Sequence, residues 1–296
     1  MNDQPSKWAL WLRLGRVSNL PTVWSNTVAG MLLAGGLLEA RAAVVLALAF
    51  SFFYVGGMFL NDAFDRNIDA VERPERPIPR GLISARQVIT LGYAMLGAGA
   101  LLVALYVFVL GGSRSIYAVL ASLLLGGAVV LYDAWHKGNP LGPLLMGACR
   151  VLVYFTAALA VSGRLEAPVL VGGGLLLAYI MGLTYVAKQE NLTEIRHLWP
   201  LLLLLSPFIV TLPALPNHPA AAVFFGLMLG WVGYAVLLLR NKGRGVIGHV
   251  VVSLIGGISL LDALLVSARG ASASAAAVTA LGFAFTLFFQ RYVSGT

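Results

Sequence analysis

The run Asn61-Asp62-Ala63-Phe64-Asp65-Arg66-Asn67-Ile68-Asp69 places three carboxylates and a neighbouring amide within a short stretch. If the run is helical, each residue turns by about 100°. Counted from Asp62, Asp65 then stands at about 300°, Asp69 at about 340° and Asn61 at about 260°, so all four share one face. Carboxylates crowded on one face repel each other unless a cation lies among them. Mg²⁺ is hard, prefers oxygen, and is commonly held by one or two carboxylates together with substrate phosphates. The spacing equally fits a solvated acidic helix end with Arg66 as local counter-ion, and spacing alone leaves the two readings level.

Two further charges interrupt apolar stretches. Arg150 lies about 12 residues, or about 18 Å, along its stretch if that stretch is helical. Ionisable groups at such depth face a bundle interior or a polar cavity. An Arg150 that reaches toward an anionic group in such a cavity and an Arg150 paired with a carbonyl or with Asp262 weigh equally. Asp262 is expected near the far end of its stretch, as an interfacial carboxylate. His136, His197, His218 and His249 show no metal-ligand spacing. Tyr54, Tyr132, Tyr154 and Tyr185 can line an apolar tunnel or shield a cation, though packing is the default for such residues. The pairs and triplets Gly56-Gly57 and Gly172-Gly173-Gly174 suit close helix packing rather than a phosphate loop.

The elements that must carry these residues follow from composition. Of 296 residues, 59% are hydrophobic and 11% charged. A soluble domain carries about a quarter charged residues, so this chain lacks the charge to cover a water-facing surface, and most of its surface must meet lipid. Charge-poor stretches near spanning length lie at Val17–Leu38, Ala42–Asn61, Gln87–Gly112, Ser115–Tyr132, Gly138–Gly163, Ala167–Ala187, Leu198–Leu215, Pro219–Leu239, Gly245–Ala268 and Gly270–Gln290. These predict an all-α polytopic bundle of nine or ten membrane helices around a lipid-open cavity, in one domain over residues 1–296. With the N-terminus cytoplasmic, fifteen Lys and Arg fall on that side, against Arg41, Arg114, Arg164 and Arg269 on the other. Cytoplasmic loops carry such an excess, and the net charge of +8 reads this way rather than as a nucleic-acid surface. The lone Cys149 excludes an internal disulfide and reads as a packed thiol. No cleavable signal peptide is visible at the N-terminus. The acidic run then leaves the cytoplasmic end of the second stretch, a place that suits a substrate with a charged head and an apolar tail.

Asn61, Asp62, Asp65 and Asp69 match the NDxxDxxxD motif of the UbiA superfamily of intramembrane prenyltransferases. Glu72-Arg73-Pro74-Glu75-Arg76-Pro77-Ile78-Pro79-Arg80-Gly81 resembles that family's RPxRPxPxG loop, Arg13 to Pro21 resembles its N-terminal segment, and Tyr132, Lys137 and Asn139 resemble its loop between the fourth and fifth helices. The resemblance implies Mg²⁺-dependent transfer of a polyprenyl group from a polyprenyl diphosphate to an unidentified acceptor. It implies a place among the lipids of the cell inner membrane and no nucleic-acid partner. It makes Asp62, Asp65 and Asp69 metal-binding and catalytic and Asn61, Tyr132 and Lys137 substrate-binding. Arg73 and Arg76 are substrate-binding candidates that read equally well as ordinary cytoplasmic loop charge, and Arg150 is a substrate-binding candidate toward the diphosphate or an acceptor carboxylate. The family's second Asp-rich motif corresponds here to residues 184–194, which hold Lys188, Glu190 and Glu194 but no aspartate. Glu190 and Glu194, four apart, can share a helix face and hold a second metal, with Glu194 also touching substrate. Alternatively, Lys188 replaces that metal's charge. In the third reading the site is degraded and the chain is a non-catalytic protein that binds or transports a lipid or prenylated metabolite. The departure suggests a divergent branch, similar to the UbiA-like protein of the Ebo gene clusters.

Overall fold

The computed structural model describes residues 7–35, 38–188, 199–240 and 245–293. Without water in a bilayer core, backbone N–H and C=O groups must pair within their own segment, which favours helices. The described chain is accordingly all-helical: α1 (Lys7–Leu14), α2 (Leu20–Leu33), α3 (Ala40–Phe64), α4 (Arg66–Glu72), α5 (Ala85–Phe108), α6 (Ile116–Trp135), α7 (Gly142–Ser162), α8 (Ala167–Ala187), α9 (Ser206–Thr211), α10 (Pro219–Leu238), α11 (Val246–Ala268) and α12 (Ala273–Gln290). Several helices begin with proline in the first turn, as in α2, α7, α8 and α10, where the missing N–H costs no hydrogen bond. Gly163 ends α7 at φ 77°, a left-handed backbone that glycine adopts without a Cβ clash.

Among the described residues, α3, α5, α6, α7, α8, α10, α11 and α12 are long and apolar enough to cross a membrane. Two expected segments take another form. Val17–Leu38 becomes a 3₁₀ turn at Val17–Asn19 followed by α2 of 14 residues, about 21 Å long against a hydrocarbon core of about 30 Å. The chain turns sharply at Arg16, whose backbone is left-handed at φ 42°, and Pro21 restarts it. Leu198–Leu215 becomes a 3₁₀ stretch at Trp199–Leu205, the short α9, and a second 3₁₀ stretch at Leu212–Asn217. Pro200, Pro207, Pro213 and Pro216 recur through it, and each removes a backbone donor and clashes with a continuous helix.

Helix α11 is the axis of the bundle. It is buried almost throughout, while α5, α6, α10 and α12 turn much of their surface outward. It packs on α2, α8, α10 and α12, and α7 packs on α2, α6 and α8. Helix α3 lies against α2, α5 and α6. Exposed Leu101, Leu105, Leu120, Leu124 and Leu227 form the outward apolar surface. Lipid is as apolar as leucine, so small residues that let backbones approach become the means of helix contact. The glycine pattern shows this: a Cβ on Gly56 would lie 2.9 Å from the Gly92 carbonyl oxygen of α5. One on Gly173 would lie 2.9 Å from the Phe155 ring, whereas one on Gly174 meets nothing.

Gly30 lets α2 approach the backbone of α7 closely. A Cβ there would lie 2.8 Å from the Tyr154 carbonyl oxygen and 2.9 Å from its Cα. Backbone cannot yield as a side chain can, and overpacking of this kind costs about 1–3 kcal/mol. Gly30→Val is therefore expected to lower the thermal midpoint of the detergent-purified protein by several degrees. Gly174→Ala, facing open space, should leave it unchanged or raised, and equal midpoints for the two variants would refute the packing assignment.

Candidate active site

The acidic run sits where α3 stops. Asp65 is the C-cap of α3 and the entry to α4, but the backbone ladder runs on, with Asp65 N–H bonded to the Asn61 carbonyl at 2.9 Å and Asp69 N–H to that of Asp65 at 2.8 Å. The near-continuous helix keeps Asn61, Asp62, Asp65 and Asp69 on one face, and all four are buried. Their partners differ. Asp62 accepts from Arg16 Nη2 at 3.2 Å and Arg76 Nη1 at 3.1 Å. The same Arg76 nitrogen donates to Asp69 at 2.7 Å, so one guanidinium bridges two carboxylates. Asp65 points instead to the end of α6, with His136 Nε2 at 3.5 Å and Lys137 Nζ at 3.6 Å. Burial opposes the Asp65 charge, but the His136 hydrogen bond and the charges of His136, Lys137 and Arg76 outweigh it and hold its carboxyl below the usual range.

Beneath this end lies a cavity of about 270 Å³. Its walls are apolar, from Phe50, Phe53, Val129, Ile180 and Ile258 among others, and its polar groups include Arg16, Arg73, Tyr54, Tyr132, Asp133 and Arg150. Asp62 does not line this cavity. It lines a neighbouring hollow of about 210 Å³ with Arg13, Arg16, Arg76 and Arg80, and Arg16 borders both. Cys149, expected as a packed thiol, is a wall residue of the larger cavity. Tyr54 and Tyr132 line it too, whereas Tyr154 is fully buried and Tyr185 packs on the Trp199 ring with centroids 5.1 Å apart.

Among the described residues, no three Asp, Glu, His or Cys side chains form a ready metal cage. The donor set still fits Mg²⁺, which is commonly held by one or two carboxylates and substrate phosphates. Asp62 and Asp69 are already close enough to share one cationic nitrogen. Lys188 donates to the Asn139 carbonyl at 2.6 Å and so ties the end of α8 to the α6–α7 loop. Burial lowers the pKa of its ammonium. Glu190 and Glu194 lie outside the described residues. Sequence reasoning passed over Asp133, whose Oδ1 accepts from Asn61 Nδ2 at 3.2 Å, and considered His136 only as a metal ligand, not as a partner of Asp65. The available signal for Asp133 was a lone carboxylate immediately after the apolar stretch Ser115–Tyr132.

Deep in the bundle, a second polar cluster overturns the interfacial reading of Asp262. That residue is fully buried, because α2 and α7 bring donors to it. Ser25 donates to Asp262 at 2.6 Å and Asn26 at 2.8 Å, and Tyr154 donates through its hydroxyl. Asn26 passes the interaction on, its Oδ1 accepting from Arg150 Nη1 at 3.0 Å. Arg150 thus pairs with Asp262 only through an amide. Its guanidinium lies 5.6 Å from the Tyr54 ring centroid, within cation–π range, and borders the cavity. Removing the acceptor of such a network strands several buried donors, each costing about 1–3 kcal/mol. Asp262→Ala should therefore lower the thermal midpoint far more than Tyr154→Phe, which removes one donor. A smaller effect of Asp262→Ala would show that the network does not hold the helices.

The profile of the UbiA prenyltransferase family matches residues 23–198. Digeranylgeranylglyceryl phosphate synthase of Methanothrix thermoacetophila is 36% identical over 130 residues, 44% of this chain and 46% of that protein. The enzyme of the same name from Haloquadratum walsbyi is 30% identical over 187 residues, 62% of this chain and 60% of that one. The chain spans about half the length of the curated relatives it matches. Among solved structures, a chain from a structural study of digeranylgeranylglyceryl phosphate synthase in membranes is similar at a TM-score of 0.58 and 22% identity, over 89% of this chain and 99% of that chain. A UbiA homologue from Archaeoglobus fulgidus bound to GPP and Mg²⁺ is similar at a TM-score of 0.51 and 14% identity, over 95% and 86%. At these identities the structures show a shared fold. With the family profile matched over more than half of its length, the chain belongs to the UbiA prenyltransferase family.

Proposed function

We propose that this protein transfers a prenyl group from a prenyl diphosphate to an acceptor within the membrane. The observation that carries the reading is the apolar cavity whose charged end holds Arg16, Arg73 and Asp133, beside the Asp62, Asp65 and Asp69 cluster. Relatives named digeranylgeranylglyceryl phosphate synthase and a fold neighbour bound to GPP and Mg²⁺ support it. The altered stretch at 184–194 supports a divergent branch of the family, near the protein of the Ebo gene clusters.

In this reading the apolar walls take the prenyl tail and exclude water. Arg73, Arg76 and Lys137 make charge-assisted contacts to the diphosphate, with Asn61 and Tyr132 beside them. Asp62, Asp65 and Asp69 hold Mg²⁺, which when bound stabilises the charge on the departing pyrophosphate. The allylic C–O bond breaks, pyrophosphate leaves with the bonding electrons, and the acceptor attacks the allylic cation and loses its proton. The faces of Tyr54 and Tyr132 shield that cation. Arg150 faces the acceptor, and Lys188, Glu190 and Glu194 remain the second acidic region's contribution.

The assay is Mg²⁺-dependent binding of prenyl diphosphates and pyrophosphate release in nanodiscs, across a panel of donors with acceptors present. Asp62→Asn or Asp65→Asn should depress both by about 100-fold or more, the scale of losing one group that stabilises developing charge. Unchanged binding in both variants would remove these residues from the site. Glu190→Gln, Glu194→Gln and Lys188→Ala separate the two forms of the second region: the first two should fail if glutamates hold metal, the third if the ammonium substitutes. Binding without release from any donor would favour a lipid carrier.

The same reading places the charged end at the cytoplasmic face. Asp65, His136, Lys137 and Lys188 gather at one end, while Arg41 donates to the Leu110 carbonyl at the other. The Lys and Arg excess at the first end supports a cytoplasmic assignment. In a Cys149→Ala background, Glu75→Cys should react with a membrane-impermeant thiol reagent only in inverted vesicles, and Arg164→Cys only in intact cells. The opposite pattern would invert the topology.

A further inference from the structure

Asp133 differs from the three aspartates of the acidic run, Asp62, Asp65 and Asp69. Asp62 has Arg16 and Arg76, Asp69 has Arg76, and Asp65 has His136 and Lys137. Asp133 has only the Asn61 amide, on Oδ1. Its Oδ2 is buried without a hydrogen-bond partner among the described residues, and the residue is 4% exposed. A buried carboxylate oxygen in this condition is costly, and natural proteins leave few such groups without a reason.

The position supplies the reason. Asp133 lines the cavity together with Arg16 and Arg73, the cations that make this end attractive to phosphate. A carboxylate facing the same space would repel that phosphate unless a cation stood between them. Arg16 is already engaged by Asp62 at 3.2 Å, and no side-chain cation pairs with Asp133 among the described residues. Asn61 gives an N–H to Asp133, which leaves its amide oxygen as a second hard donor beside it. Mg²⁺ accepts this set, one carboxylate and few other protein oxygens completed by phosphate and water.

We propose that Asp133 is a metal ligand, holding a divalent cation distinct from the one at Asp62 and Asp69 and joining it to the diphosphate in the cavity. The assignment rests on the prenyl-diphosphate reading of the site. Asn61 then links two metal positions: it precedes Asp62 in the helix and orients Asp133 across the α3–α6 contact.

The experiment counts Mn²⁺ by electron paramagnetic resonance and calorimetry on the full chain in nanodiscs, with geranyl S-thiolodiphosphate as an unreactive donor analogue. Wild type should bind one more Mn²⁺ per chain than Asp133→Asn, or bind it more than about 100-fold tighter, beyond the 10–100-fold loss typical of removing a merely supporting partner. Asp133→Glu should restore it in part, and unchanged thermal midpoints exclude misfolding. Equal Mn²⁺ stoichiometry and affinity in wild type and Asp133→Asn would overturn the assignment. So would intact Mn²⁺ binding with lost turnover, which would make Asp133 a proton acceptor instead. Absence of analogue binding in wild type would defeat the prenyl-diphosphate reading. In that case a Mn²⁺ lost in Asp133→Asn alone would still support the metal site, and one retained would overturn it.

Discussion

Inside a bilayer a polar side chain has no water to retreat to, so each one must be answered by another part of the chain. Asp262 makes this demand at the centre of the molecule. Its oxygens draw Ser25 and Asn26 from α2 and Tyr154 from α7, which fixes three helices against one another at one depth. The close approach at Gly30 makes this possible, since a side chain there would hold α2 away from α7. Hydrophobic matching could not give the same precision, because Leu and Val faces slide along one another at little cost. Hydrogen bonds of 2.6 to 3.1 Å do not.

That internal frame also prepares the cavity. Arg150 is a cation on an otherwise apolar wall, held by Asn26 and faced by the Tyr54 ring. At the charged end the arrangement is complementary. Arg76 bridges Asp62 and Asp69, and the end of α6 brings His136 and Lys137 to Asp65. Carboxylates that would repel each other in isolation are thus held close, by cations supplied from a loop and a neighbouring helix. These carboxylates and cations gather at one end of the bundle, above the apolar walls of the cavity.

Much of the architecture was legible in composition and spacing. Apolar length located the eight helices that, among the described residues, are long and apolar enough to cross a membrane, and helical periodicity put Asn61, Asp62, Asp65 and Asp69 on one face, because both depend on neighbours a few residues apart. The same reasoning overestimated Val17–Leu38 and Leu198–Leu215, where hydropathy is high but Pro21 and the proline-rich run interrupt the ladder. Hydropathy measures partitioning and is nearly blind to whether the backbone can continue as a helix.

What the sequence by itself determined is that the chain must live in lipid, that its second apolar stretch ends in an acidic face, and that its basic residues crowd one side. Each is a property of local composition or of a helical turn. Tertiary structure alone decided which cation answers which carboxylate. Arg16 reaches Asp62 across 46 positions and Ser25 reaches Asp262 across 237. It turned Asp262 from an expected interfacial carboxylate into a buried anchor, and it left Asp133 lining a cavity that neither α3 nor α6 encloses alone. A side chain's partners come from helices that sequence distance does not order, and the energy of a buried charge is set almost wholly by those partners.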